Sequence, residues 1–84
     1  MSEVLCIHGV VTRGGSPVEG VYADLIAPDG LFVAERRTGP DGRYEFHTTP
    51  GAWEIAFRAA GADPVRRSVD STGEVELDVE LAAR

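Results

Sequence analysis

Eighty-four residues with fourteen acids against eight bases, a formal charge of −6, bound one small domain of thin stability. The acidic balance argues against nucleic acid, whose phosphates need a basic footprint, and against an anionic membrane surface. No apolar run approaches about 18 residues. Met1-Ser2-Glu3-Val4 lacks the features of a signal peptide, and the lone Cys6 excludes an internal disulfide, so the expected compartment is the cytoplasm. Every base is Arg, and Lys, Asn and Gln are absent, a bias that points to a GC-rich genome. Without Lys there is no Schiff-base chemistry, and without Asn no N-glycosylation site.

The first strand is expected over Val4–Thr12, with Leu5, Ile7, Gly9 and Val11 inward and Cys6, His8 and Val10 outward. Arg13-Gly14-Gly15-Ser16-Pro17 has turn composition. Val21, Ala23 and Leu25 give the second strand its inner face. Ala27-Pro28-Asp29-Gly30 turns into a third strand, Leu31–Thr38, whose phase is ambiguous. Leu31 and Val33 fall on one face, Phe32 and Ala34 on the other, and Arg36-Arg37 ends the run; such a strand fits a sheet edge or a contact surface.

Gly39-Pro40-Asp41-Gly42 is a tight turn, and two alternating runs follow, broken by Pro50-Gly51. Tyr44 and Phe46 share a face in one, and Trp53, Ile55 and Phe57 in the other, so these five should meet in the core. Val65–Val69, carrying Arg66-Arg67, is a weaker sixth strand. Residues 74–81 alternate without fault: Val75, Leu77, Val79 and Leu81 inward, Glu74, Glu76, Asp78 and Glu80 solvated. Helical spacing fits nowhere. The expected fold is all-β: a seven-stranded antiparallel Greek-key sandwich spanning residues 1–84.

The pattern Ile7-x-Gly9-x-Val11, Pro17-Val18-x-Gly20-Val21-x-Ala23-x-Leu25, Asp41-Gly42-x-Tyr44-x-Phe46 and Pro50-Gly51-x-Trp53-x-Ile55-x-Phe57 resembles the carboxypeptidase regulatory-like, or transthyretin-like (prealbumin-like), sandwich. Within that superfamily it is similar to small actinobacterial proteins of unknown function, some linked by gene neighbourhood to sulfur metabolism. The resemblance implies that the strands flanking Pro50-Gly51 belong to opposite sheets; a simple hairpin is the other option. The motif residues specify a core and carry no chemistry.

Chemistry has few candidates. Cys6-x-His8 is at most half a metal site, since zinc needs three or four ligands and the only other histidine is His47. Cys6 as a working thiol would suit an accessory protein or thiol-dependent enzyme of sulfur metabolism, but its neighbours Leu5 and Ile7 do not lower a thiol pKa. Hydroxyisourate hydrolases, also transthyretin-like, end in Tyr-Arg-Gly-Ser, whereas this chain ends Leu81-Ala82-Ala83-Arg84. His8 and His47 as acid and base therefore lack their partners. A nonheme-iron set of Tyr22, Tyr44, His8 and His47 would take Tyr44 out of the core. The isopeptide bonds of related adhesin repeats need a Lys.

The acidic row Glu74–Glu80 reads as a solvated face, neutralised in part by cross-strand arginines. The expectation is a non-catalytic binding or scaffolding module with no cofactor or metal. Its partner would be another protein or a second copy, and the expected contact surface is Leu31, Phe32, Val33, Arg36, Arg37, Arg66 and Arg67; the pairs Arg36-Arg37 and Arg66-Arg67 could mark an anion or a partner site, though such dyads are more often ordinary surface.

Overall fold

A computed structural model describes residues 5–71 and 73–82; the expectations placed on Val4 and Thr72 lie outside them. The described residues form β1 (Leu5–Arg13), β2 (Ser16–Pro17), β3 (Tyr22–Ile26), β4 (Phe32–Arg37), β5 (Arg43–Thr48), β6 (Gly51–Arg58), β7 (Val65–Ser71), β8 (Val75–Glu76) and β9 (Val79–Glu80). Among them no helix is long and apolar enough to cross a membrane. One sheet runs β2-β1-β5, with β8 and β9 also paired to β1, and the other runs β4-β3-β6-β7. β5 and β6 thus lie in opposite sheets, and Pro50 marks a crossing between layers.

Alternation builds the core. Ile7, Val11, Val21, Ala23, Leu25, Ile55 and Phe57 are buried in the phase that their strands dictate. Tyr44 from one sheet meets Phe57 from the other edge-on, ring centroids 5.2 Å apart, and Phe46 tilts against Tyr44 at 6.1 Å. Trp53 departs from expectation. It is half-buried at the end of the core, where its indole Nε1 donates to the Thr49 carbonyl at 2.8 Å. Gly42 and Gly51 take φ of 76° and 150°, backbone that side-chain-bearing residues avoid, so both turns depend on glycine.

The C-terminal run differs most from its expected form. β8 and β9 are two short strands, and both run parallel to β1, with Ile7 opposite Val75 and Val11 opposite Val79. Between them the chain arches over Gly9. A Cβ on Gly9 would stand 1.9 Å from the Leu77 carbonyl oxygen, so only a bare α-carbon admits this crossing. The arch turns the Leu77 carbonyl inward to accept the Tyr44 hydroxyl at 2.6 Å. Burial foremost, and the Asp78 carboxylate next, raise the Tyr44 pKa, so it stays a neutral donor. Leu77 N–H still donates to the His8 carbonyl at 2.8 Å, and Asp78 Oδ1 takes the Val10 N–H at 2.9 Å, where a strand carbonyl would otherwise stand. Val75 and Leu77 are consequently only half-buried, against the expectation of full burial.

The acidic row is exposed as expected, but among the described residues no arginine pairs with it, against the expectation of partial neutralisation. Asp78 caps a backbone donor, and Glu80 accepts the Thr12 hydroxyl and the Gly15 N–H. The Thr12 hydroxyl first, then backbone N–H groups, hold Glu80 below the usual carboxylate pKa. A pKa lowered by folding gives stability that is present above the unfolded value and is lost as pH falls through the folded one.

Two outcomes follow for urea denaturation. Gly9→Ala should cost on the order of 1–3 kcal/mol or more by forcing the arch away, and Tyr44→Phe about 1–3 kcal/mol by orphaning the Leu77 carbonyl. Glu80→Gln should lower the melting temperature at neutral pH, and that difference should vanish below the carboxylate range; a difference that persists in acid would remove the assigned role.

Candidate functional site

β4 is a terminal strand of its sheet. Its ambiguous phase has a local cause: Leu25 lies opposite Ala34 but Ile26 lies opposite Phe32, which leaves Val33 as an extra, bulged residue. The bulge merges two faces into one patch. Leu31, Phe32 and Val33 are 65%, 61% and 53% exposed, against near-zero values in the core. The preceding turn holds the patch in place: Ala27 N–H donates to the Leu31 carbonyl at 2.8 Å, and Leu31 N–H to Asp29 Oδ1 at 3.1 Å.

Beyond the bulge, Arg36 sits opposite buried Ala23, in the inward phase of β4, but stays exposed at the sheet edge. Its Cζ lies 5.8 Å from the centroid of Phe46. Arg37 points the other way, with its Cζ 4.9 Å above Tyr22. Arg58 reaches the same ring at 5.2 Å and bridges Asp24 Oδ2 at 3.0 Å and Glu35 Oε2 at 2.8 Å. Arg66 and Arg67 are on β7, at the far end of the same sheet, so the two arginine pairs do not converge. Arg66 donates to Glu54 at 2.7 Å, and Arg67 lies opposite buried Ile55.

β5 is the terminal strand of the other sheet and packs beside β4. A cleft of about 440 Å³ opens there, lined by His8, Arg36, Arg37, Arg43, Tyr44 and Glu45. Arg43 and Glu45 were not among the expected site residues. Their outward phase on β5 is legible in the sequence, but the proximity of β4 is not.

The remaining candidates are dispersed. Cys6 is half-exposed on the outer face of β1, opposite His47. Its thiol pKa is raised, by burial first, then by the charge of Glu45 and a hydrogen bond to it, then by Glu74. The thiolate is the nucleophile, so these surroundings work against thiol chemistry. His8 faces Glu74 at 3.8 Å and His47 faces Glu45 at 3.0 Å. Tyr44 is bonded to Leu77 in the core, and Tyr22 lies in the opposite sheet, so the two tyrosines and two histidines form no common ligand set. Among the described residues no three His, Cys, Asp or Glu side chains are placed to hold a metal.

The fold is shared with larger proteins. A 3-chlorocatechol 1,2-dioxygenase from Rhodococcus opacus 1CP superposes with a TM-score of 0.81 at 13% identity, covering 100% of this chain and 61% of its own. A DUF3823 family protein from Parabacteroides merdae ATCC 43184 gives 0.78 at 16% identity, covering 99% and 48%. The dioxygenase domain of a dioxygenase carbohydrate-binding protein fusion from Streptomyces sp. SirexAA-E gives 0.79 at 15%, covering 100% and 82%. The chain therefore spans about half to three-fifths of the first two, and at such identity the likeness is one of fold. No curated protein matches in sequence. A family profile described as "Protein of unknown function (DUF1416)" matches residues 1–82.

Cys6 should alkylate with a pH midpoint above that of an ordinary thiol, and Glu45→Gln should lower that midpoint; iodoacetamide kinetics against pH check both. A midpoint below the ordinary thiol range would restore Cys6 as a nucleophile.

Proposed function

We propose that this chain, which belongs to the DUF1416 family of unknown function, is a non-catalytic binding module that docks an extended segment of a protein partner along β4. The observation that carries the reading is the exposed Leu31-Phe32-Val33 patch at a sheet edge. A strand edge offers backbone donors and acceptors, and the patch offers anchors for the partner's apolar side chains. Charge selects the partner. Arg36 and Arg37 have no carboxylate within ion-pair distance among the described residues, while the whole chain carries −6. An acidic, partly apolar segment suits this edge better than a second acidic copy does.

The magnitudes favour a transient contact. Covering what is exposed of three large apolar side chains yields roughly 3–5 kcal/mol. Micromolar binding needs about 8 kcal/mol, so strand pairing and the arginines must supply the rest. The bulge at Val33 interrupts the edge, which disfavours open-ended sheet growth and suits a discrete partner. We read the sandwich as transthyretin-like and its compartment as the cytoplasm, consistent with one unpaired thiol.

Phe32→Asp combined with Val33→Asp should abolish capture of the partner by the intact protein, leave the melting temperature within a few degrees, and move cross-links away from residues 31–37. Partner capture that survives the double change, or light scattering that shows self-association lost instead, would overturn the reading.

A further inference from the structure

The cleft between β4 and β5 concentrates positive charge in an acidic protein. Three of the chain's eight bases, Arg36, Arg37 and Arg43, line it together with His8. Glu45 is the one acid on the lining, and its carboxylate already faces the His47 imidazole at 3.0 Å. Arg43 has only a long contact to Asp41, 3.6 Å, between two well-exposed groups, a pair worth little in water. Arg36 donates from Nη1 to the Glu35 carbonyl at 3.1 Å and meets no carboxylate among the described residues. Arg58 and Arg66, by contrast, are neutralised by Asp24, Glu35 and Glu54 at 2.7–3.0 Å.

We propose that this cleft binds a small oxyanion, a carboxylate, sulfate or phosphate group, held by the guanidinium groups of Arg36 and Arg43, with Arg37 adding to the field. Guanidinium stays charged at any physiological pH and presents a planar fork that matches two oxygens at once. Arg36 is pre-positioned. Its inward register and its seat over Phe46 remove much of the side-chain freedom that binding would otherwise cost. The cleft also brings three guanidinium groups to one place, which raises the local positive potential above that of the rest of an acidic surface. Arg67 is the internal comparison: it too holds an inward register position on a sheet edge and lacks a carboxylate among the described residues, but it does not line this cleft.

The site shares Arg36 and Arg37 with the docking proposal but does not rest on Leu31-Phe32-Val33, so Arg43→Gln on one side and changes at Phe32 and Val33 on the other separate the two. The probes are sodium phosphate, sodium sulfate and sodium acetate, titrated into the intact protein against sodium chloride at matched ionic strength and followed by amide and Arg Nε–H resonances. Saturable shifts centred on Arg36, Arg43 and Glu45 are expected, with affinity weakened about tenfold by Arg36→Gln or by Arg43→Gln. Arg67→Gln should leave the affinity unaltered, as should the uncharged double change Phe32→Ser, Val33→Ser. Arg43 is well exposed, so its variant tests the site even where loss of Arg36 from above Phe46 perturbs folding. Shifts no larger than those from chloride, or equal weakening by Arg67→Gln, would overturn the proposal.

Discussion

One crossing governs the rest of the molecule: residues 77 and 78 pass over Gly9. Two strands beside each other normally exchange backbone hydrogen bonds at every second residue. Here the Leu77 carbonyl leaves the ladder for the Tyr44 hydroxyl, and the Asp78 side chain takes over for Val10. Every displaced group finds a partner, and no buried side-chain nitrogen or oxygen among the described residues is left without one. The exchange ties three distant parts of the chain into one fastening. β1 supplies the gap, β5 the hydroxyl, and the C-terminal run the carbonyl. It also closes one flank of the first sheet with β8 and β9, leaving β5 as the uncovered flank beside β4.

That asymmetry decides which strand edges stay open. Both terminal strands of the second sheet carry an arginine in an inward-facing position, Arg36 on β4 and Arg67 on β7. An inward charge on an edge discourages indiscriminate pairing, because a second sheet laid alongside would desolvate it. The protein thus guards part of each edge of that sheet, the end of β4 and the interior of β7. The beginning of β4 has no such guard, and three large apolar side chains stand there in water. Monomeric surfaces tolerate scattered apolar residues, and this cluster on a strand edge is the feature on which the docking proposal rests. Of the chain's charged groups, those on the outer face of this sheet are largely spent on each other, with Arg58 bridging Asp24 and Glu35. Arg36 and Arg37 at the β4–β5 cleft meet no carboxylate among the described residues, and Arg43 has only its long contact to Asp41.

Much of this was legible in the residues. Period-two alternation placed Ile7, Gly9, Val11, Tyr44, Phe46, Ile55 and Phe57 correctly, because each strand there is regular and its inner face is closed. Leu31–Arg37 resisted a phase because a bulge at Val33 superposes two phases. The break at Leu77 left no local trace: residues 74–81 alternate perfectly, and the cause lies 68 positions away at a glycine that reads as an ordinary inward residue. Asp78 and Glu80 looked like solvated charge for the same reason, since the donors they satisfy come from β1 and the turn after it. The cleft was illegible too. It exists only because the terminal strands of two sheets lie side by side, a relation that neither strand encodes alone.

Native-state amide hydrogen exchange reads how firmly the C-terminal run is fastened to β1. The Val10, Leu77 and Leu81 N–H groups, which donate to Asp78, His8 and Thr12, should exchange as slowly as the amides between β1 and β5. Rapid exchange at those three amides, with the β1–β5 ladder still protected, would contradict such a fastening.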